Sequence, residues 1–439
     1  MDRTTGQYVE ECLRPGSRLR FAAEEAQLPP VLTRMRGQRI LPRPLLATEK
    51  EVSDFADDLG RIFDLLVSLP NRLFDGDLTR YCAALGIDER QATLMCRMSG
   101  GPPVRYGRAD MYHDGTSFRL LEFNVASQIG GVDRAGQIPR ALLQVPALAS
   151  FAAEHGLGFS DTGWHVAEAM RAAGATVSSG REPTVVLLEA PGELAAYRRS
   201  WEPFQELMRG FELDFHLAEL GDLRSRNGRL FLDGRPVDVV LRCFGVEQIC
   251  HDPATEALVE PIVRAHQEGQ VVLWTPLDSN LYGNKGCLAM LSDPGRSSLF
   301  STAERALIDR VLPWTRSLDD ATAGFSRAHR EELILKPRAG YGGIGVTPGW
   351  ELSDEQWAAA LDAGRSAGAV VQQRVVPRPE PVVDPATGLV ADWHASWGAF
   401  LTPAGYAGAY ARALPSGDSA VIGITSNPET RTAGVFTVR

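Results

Sequence analysis

The segment RADMYHDGTSFRLLEFN, residues 108–124, sets two strand-forming runs on either side of a His-Asp-Gly-Thr turn. Such a pattern predicts an antiparallel hairpin. Glu122 and Asn124 are two apart on its second strand and so point to one face. A carboxylate beside an amide oxygen, within LLEFN, is costly to bury for stability alone. It suits a Mg²⁺ ion, which takes few protein oxygens and completes its octahedron with water and phosphates. Asp110 joins the pair only in some registers. A two-residue Asp114-Gly115 loop pairs it with Arg119 on the wrong face. A loop with an odd number of residues pairs it with Leu120 and makes Glu122 its diagonal neighbour, roughly 7–8 Å away. The metal reading therefore predicts an odd loop. The competing reading is two solvent-facing acids on an exposed hairpin.

A second feature lies far along the chain, in ELILKPRAGYGGIGV. The apolar run LILK ends in Lys336, and Gly340, Gly342, Gly343 and Gly345 follow closely, with Tyr341 among them. The G-x-G-x-x-G spacing of Gly340, Gly342 and Gly345 is weak alone. A Rossmann turn needs a helix starting within the motif, whereas Pro348 intervenes and the next helix is expected only near Ser353. A kinase would carry its lysine on a strand after the loop and HRD and DFG further on, and neither tripeptide occurs. A Walker A sequence is also absent. Two readings remain: backbone N–H groups and a lysine approaching phosphate oxygens, or a plain glycine-rich hairpin.

Three more cations merit attention. Lys285, in LYGNKGCLAML, falls at the start of a helix; Arg412 lies in GAYARAL; Arg108 is two residues before Asp110 and shares its face. Each alone reads as a surface charge. Together with a metal and a glycine loop they could surround a transferring phosphoryl group, which needs cationic stabilisation more than covalent help.

Around these motifs the chain divides by pattern. Residues 1–98 read as mostly helical, with a helix starting near Thr48, Glu51 completing a capping box, and further helices over 77–86 and 88–97. Residues 99–160 hold the hairpin. Residues 161–280 alternate helix and strand as an open α/β lobe, with RLFLDGRPVDVVLRCF read as a second hairpin; Arg242 within it is a candidate for shaping an acceptor pocket, or for structural support. Residues 281–439 begin with helix and become strand-rich, with a helix capped by Ser353 and Gln356 and a turn at Pro403-Ala404-Gly405.

A length of 439 residues suits several lobes rather than one core. With 45 Lys plus Arg against 55 Asp plus Glu, the net charge of −10 argues against nucleic acid or an anionic membrane as partner. No apolar run reaches the roughly 18 residues of a membrane helix, and the start MDRTTGQYVEEC does not read as a signal peptide. Cysteines at 12, 82, 96, 243, 250 and 287 are too scattered for a metal site and read as free thiols in a reducing cytoplasm.

These motifs resemble the ATP-grasp superfamily, specifically its circularly permuted branch related to the synthetase domain of glutathionylspermidine synthase. R-x-D, a twelve-residue step, then E-x-N looks like that branch's magnesium and catalytic segment, matching Arg108, Asp110, Glu122 and Asn124. Asn284-Lys285 before an apolar helix resembles the first ATP lysine, and Lys336 with Gly340 to Gly345 the second and its phosphate-covering loop. AVVQQRVV resembles the strand hinging two ATP lobes, which would set Gln372 or Gln373 beside the adenine. YAGAYARA resembles the strand with a phosphate-contacting arginine, Arg412. The metal segment precedes the lysine segments by over 150 residues, and that order marks the permutation.

The resemblance implies a mixed α/β (α+β) permuted ATP-grasp fold with a pre-ATP-grasp Rossmann-like lobe and a helical N-terminal segment. It implies ATP and Mg²⁺ as cofactors and an ADP-forming carboxylate–amine ligase; a phosphotransferase or a non-catalytic nucleotide-binding protein are the alternatives. The expected partners are small-molecule carboxylates and amines, with no nucleic acid and no membrane, and a homodimer is allowed. The residues after Asn124 read VASQIGG, a departure that leaves glutathione unimplied. Ser127 stands near where those enzymes hold a substrate carboxylate.

Overall fold

The hairpin meets its first partner in a helix whose start is fixed by Thr48. The Thr48 side chain accepts from the Glu51 backbone N–H, and the Glu51 carboxylate accepts from the Thr48 N–H in return, satisfying two donors that the helix end would otherwise orphan. The helix Glu49–Phe74 buries Phe55, Leu59, Ile62, Phe63 and Leu66 along one stripe. Phe55 and Phe63 stand 5.4 and 6.0 Å, ring to ring, from Phe118 and Phe123 of the hairpin. The computed structural model describes residues 3–34, 39–99, 101–340 and 342–439.

Among the described residues the largest sheet has eight strands. Leu45–Thr48 runs parallel to Arg431–Val438, and then Gly405–Pro415, Val390–Thr402, Gly107–His113 and Phe118–Asn124 follow in antiparallel order. The N-terminal segment, read as mostly helical, thus also supplies a strand to this sheet. Val390–Thr402 and Gly405–Pro415 meet at the expected turn, with Thr402 paired to Gly405.

The hairpin register differs from both expected forms. His113 pairs with Phe118, so residues 114–117 form an even loop, and yet Asp110 pairs directly with Glu122. The ladder shifts between Asp110 and Met111, which leaves Leu121 as an extra residue on the second strand. Without that bulge, period-two alternation would put Leu120, Glu122 and Asn124 on one face. The inserted residue turns the strand over. Phe118, Leu120 and Phe123 therefore all lie in the core shared with the long helix, while Glu122 and Asn124 look the other way.

The α/β lobe carries a parallel sheet in the order Val272–Trp274, Val239–Arg242, Thr184–Glu189, Asp214–Glu219. The second predicted hairpin is shorter than expected. Arg229–Leu232 and Arg235–Pro236 pair around Asp233-Gly234, and the chain then leaves to place Val239–Arg242 beside Thr184–Glu189. Val239, Val240 and Leu241 are buried, which fits a strand covered on both faces rather than one arm of a surface hairpin.

A further antiparallel sheet, Thr315–Ser317, Val370–Gln373, Leu333–Lys336 and Thr347–Pro348, holds the glycine loop between its last two strands. The helix Asp354–Ser366 begins at Ser353, which accepts from the Gln356 N–H in a capping box, and its Trp357 fills the core beneath. The six cysteines are free thiols. Among the described residues no helix is long and apolar enough to cross a membrane.

Candidate active site

The face that the Leu121 bulge frees is a charged one. Arg108 donates twice to the Asp110 carboxylate, at 2.7 and 2.8 Å, and Arg412 from a neighbouring part of the sheet lies 3.0 Å from the same group. Lys285 pairs with Glu122 at 2.8 Å. The Asn124 amide points its N–H₂ toward Glu122 and the Arg108 carbonyl, both at 3.4 Å. Burial alone would raise the Asp110 carboxyl, but Arg108 and then Arg412 outweigh it and hold the group well below the usual carboxylate range. Burial likewise works against Arg108, and Asp110 reverses the direction and keeps the guanidinium charged.

Lys285 reaches Glu122 because it is the first residue of the helix Lys285–Ser292, with Asn284 as its cap accepting from the Gly286 N–H at 2.8 Å. Arg412 and Tyr410 are two apart on one strand, and the Tyr410 ring lies 5.7 Å from the Arg108 guanidinium and 5.9 Å from that of Arg412. Gly398, on the strand between them, leaves the room: a Cβ there would stand 2.9 Å from Arg108 Cδ.

Lys336 closes the cluster from the other sheet. Its ammonium donates to Gln372 Oε1 at 2.6 Å and to the Leu121 carbonyl at 3.3 Å, and the Gln372 amide donates to that carbonyl as well. The bulge therefore does two things. It turns Glu122 and Asn124 to the cleft, and it offers a carbonyl to the lysine strand. Burial pushes the Lys336 amine down to about 8; Glu122 opposes that fall and Lys285 adds to it. Four cationic side chains, Arg108, Arg412, Lys285 and Lys336, thus meet two carboxylates, Asp110 and Glu122. Such a surplus draws polyanions.

The glycine loop passes against the segment 419–426. Gly343 sits at φ +77°, and a Cβ there would come within 2.6 Å of Val421 Cγ1, so both conformation and space call for glycine. Behind Lys336 and these glycines opens a cleft of about 1020 Å³.

Residues 148–370 match the family described as a circularly permuted ATP-grasp. The chain belongs to that family. The matched span holds Lys285, Lys336 and the glycine loop, while the hairpin cluster and Arg412 lie outside it. Among solved structures, a glutathione synthetase-like effector from Globodera pallida, in its apo form, shares the fold. That likeness has a TM-score of 0.61 and 12% identity, over 99% of this chain and 96% of that one. An uncharacterized protein of Mycobacterium leprae (strain TN) is 28% identical over 257 residues, 56% of this chain and 43% of the relative. One from Mycobacterium tuberculosis (strain H37Rv) is 29% identical over 252 residues, 55% and 43%. The chain spans less than half the length of these curated relatives.

In this ATP-grasp fold Arg108, Asp110, Glu122, Asn124, Lys336, Gly342, Gly343, Gln372, Gln373 and Arg412 all line the one cleft. Lys285 stands behind Glu122. Gly340 and Gly345 share the loop, at φ +132° and +75°, outside the lining; Tyr341 lies outside the described residues. Two candidates are set elsewhere. Ser127 is buried, bonding the Trp274 carbonyl and receiving the Thr275 N–H. Arg242 is buried too, its guanidinium spent on the Thr275 carbonyl and Asn280. Both hold the backbone after Val272–Trp274 instead of facing the cleft, because short polar groups and a fork of N–H donors are what that irregular segment needs.

Several lining residues escaped the sequence reading. Tyr410 had a signal, its i, i+2 spacing from Arg412. Glu189 had a fainter one, a lone charge ending the apolar strand TVVLLE. Segment 418–425, which lines the cleft over the glycine loop, had none beyond small residues.

Proposed function

We propose that the protein is an ADP-forming carboxylate–amine ligase that makes an amide bond through an acylphosphate. The observation carrying this reading is the direct opposition of Asp110 and Glu122 inside a ring of four cations, facing a glycine loop across one cleft. ATP is the substrate that supplies the phosphoryl group. A carboxylate oxygen of the acceptor acid bonds to the γ-phosphorus as the bond to the β,γ-bridging oxygen breaks, and ADP departs. The amine nitrogen, having given up its ammonium proton to solvent, then bonds to the acyl carbon and loses a second proton to solvent as the carbon–oxygen bond to phosphate breaks and inorganic phosphate leaves. Arg108 and Arg412, which meet at Asp110 beside the cleft, would stabilise the charge that develops in both steps. Lys336 and the glycine-loop N–H groups would hold the triphosphate, Lys285 would add its charge from behind Glu122, and Gln372 and Gln373 would border the adenine from the strand Val370–Gln373.

Mg²⁺ fits the donors present. Glu122 and Asn124 offer hard oxygen chemistry from one face with Asp110 opposite. Among the described residues no group of three or more His, Cys, Asp and Glu could hold a metal by itself, so nucleotide phosphates and water would have to complete the shell. When bound, the ion would supply Lewis-acid neutralisation of phosphate charge.

The test is ADP release measured with a panel of carboxylates and amines. Release that needs both together is expected. Release with a hydroxyl or phosphate acceptor alone would replace the ligase with a phosphotransferase, and ATP binding without turnover would leave a nucleotide-binding protein. Within the site, Glu122→Gln should lower ADP release by about 100-fold or more; normal turnover would remove Glu122 from the machinery.

A further inference from the structure

The far wall of the cleft comes from the α/β lobe and plays no part in the phosphate chemistry above. In that sheet the chain lays down Thr184–Glu189, adds Asp214–Glu219 on one side, then crosses to add Val239–Arg242 and Val272–Trp274 on the other. The strand order therefore reverses between Thr184–Glu189 and Val239–Arg242. In open parallel sheets ligands bind in the crevice at the carboxyl ends of the strands flanking such a switch point. The residues at those two ends do line the cleft: Glu189 closes one strand, and Gly245, Glu247 and Gln248 follow the other. Tyr197 and Trp201 join them from the helix Leu194–Gly210, four residues apart and so on one helix face.

Glu189 is 2% exposed. Its Oε1 accepts from the Trp201 indole N–H at 2.5 Å, and among the described residues no Lys, Arg or His nitrogen stands within 4.0 Å of it. A buried carboxylate without a counter-cation is costly. Burial pushes the carboxyl up to about 7; the Trp201 bond opposes the rise, and Glu193 and Glu219 add to it. Glu247, beside it on the wall, is exposed. The wall thus offers negative charge and two aromatic rings, opposite a floor that offers positive charge.

We propose that this crevice is the acceptor subsite of the ligase and takes a primary alkylammonium, its cation on Glu189 and its carbon chain along Trp201 and Tyr197. The inference rests on the ligase reading and names the class of its amine. Aromatic faces attract cations and cover methylenes. An α-amino acid is a poor fit, because its carboxylate would stand against Glu189 and Glu247.

Tryptophan fluorescence of the 439-residue chain is titrated with n-butylamine, with butyrate and with the zwitterion 2-aminohexanoate. Saturation by the amine is expected, with the other two at least about tenfold weaker. Glu189→Gln keeps an oxygen for the indole and should weaken the amine at least about tenfold, while MgATP affinity on the same samples stays unchanged. Equal binding of butyrate, an unaltered Glu189→Gln, or no saturable amine response in the wild type each overturns the subsite. Should Glu189→Gln not fold, the exposed Glu247→Gln serves instead: a loss of about threefold is expected, and no loss overturns the proposal. If MgATP and butylamine both bind as stated but no carboxylate elicits amine-dependent ADP release, the ligase reading falls and the cationic subsite stands. If release is amine-dependent and Glu189→Gln keeps the KM for amine, the subsite falls and the ligase stands.

Discussion

The cleft has a cationic floor and an acidic wall, and one carboxylate in each shows how differently the two are built. Asp110 and Glu189 are both buried, 5% and 2% exposed. Asp110 is gripped by two guanidiniums, and Glu189 has a neutral indole. Their carboxyl groups are displaced in opposite directions, Asp110 downward and Glu189 up to about 7. The floor is assembled in advance, its charges satisfied by one another until a polyanion arrives. The wall holds a charge whose partner has to come from outside. A site that joins an anion to a cation needs both kinds of surface within reach of one another.

The contrast can be broken most forcefully at Asp110. Asp110→Asn leaves Arg108 and Arg412 buried without a counter-charge, so a loss of about 3–5 kcal/mol in urea unfolding at pH 7 is expected. The group's folded pKa lies below its ordinary 3.8, so its stabilisation is present above that value and fades as the pH falls through it. The gap between variant and wild type should therefore narrow in acid. A loss under about 1 kcal/mol at pH 7 would put Asp110 on the same footing as an exposed pair.

Glu189 should behave with the opposite sign and a smaller size. Its folded pKa of about 7 stands above the ordinary 4.5, so the folded chain holds a proton that the unfolded chain gives up. Stability then falls as the pH climbs from about 4.5 to about 7 and levels off above. Glu189→Gln removes that fall, and should be more stable than wild type at pH 8, by about 3 kcal/mol at most, and indistinguishable at pH 4. A variant less stable at pH 8 would mean that a cation already serves Glu189 within the fold.

The two surfaces also differ in how far the sequence exposes them. The floor is written as short motifs on regular elements: R-x-D and E-x-N on strands, Asn284-Lys285 at a helix start, LILK before glycines. Side-chain period and capping chemistry place those residues on strands and at a helix start, while the choice between a phosphate site and plain surface charges comes from the resemblance to the permuted ATP-grasp branch. Period alone misreads the hairpin register, because the Leu121 bulge adds a residue that no alternation of LLEFN announces. The permuted order of the motifs gives the fold class, yet it says nothing of Leu45–Thr48, a four-residue strand whose identity depends on Arg431–Val438 at the far end of the chain. The wall is harder still. Glu189 ends a strand, Glu247 follows another and Trp201 lies on a helix of the α/β lobe, and only strand order brings them together. Ser127 and Arg242, polar residues in promising places, serve the backbone instead, a choice made by tertiary packing.

The smallest effect tests whether the floor acts as a charge that answers to pH while the wall stays out of nucleotide binding. The Lys336 amine is pushed down to about 8 by burial, so in the free protein it is charged at pH 7 and mostly neutral at pH 9. A triphosphate favours the charged form and raises that pKa, which means that binding and protonation are linked. ATP affinity should be full below about pH 8 and should fall about tenfold between pH 7 and 9, read by equilibrium titration without turnover. Lys336→Arg keeps its charge across that range and should flatten the curve. Glu189→Gln should leave the curve as it is, because the wall faces the other substrate. A wild-type affinity that does not move with pH would mean that Lys336 does not meet the phosphates, and a curve altered by Glu189→Gln would mean that floor and wall do not divide the two substrates between them.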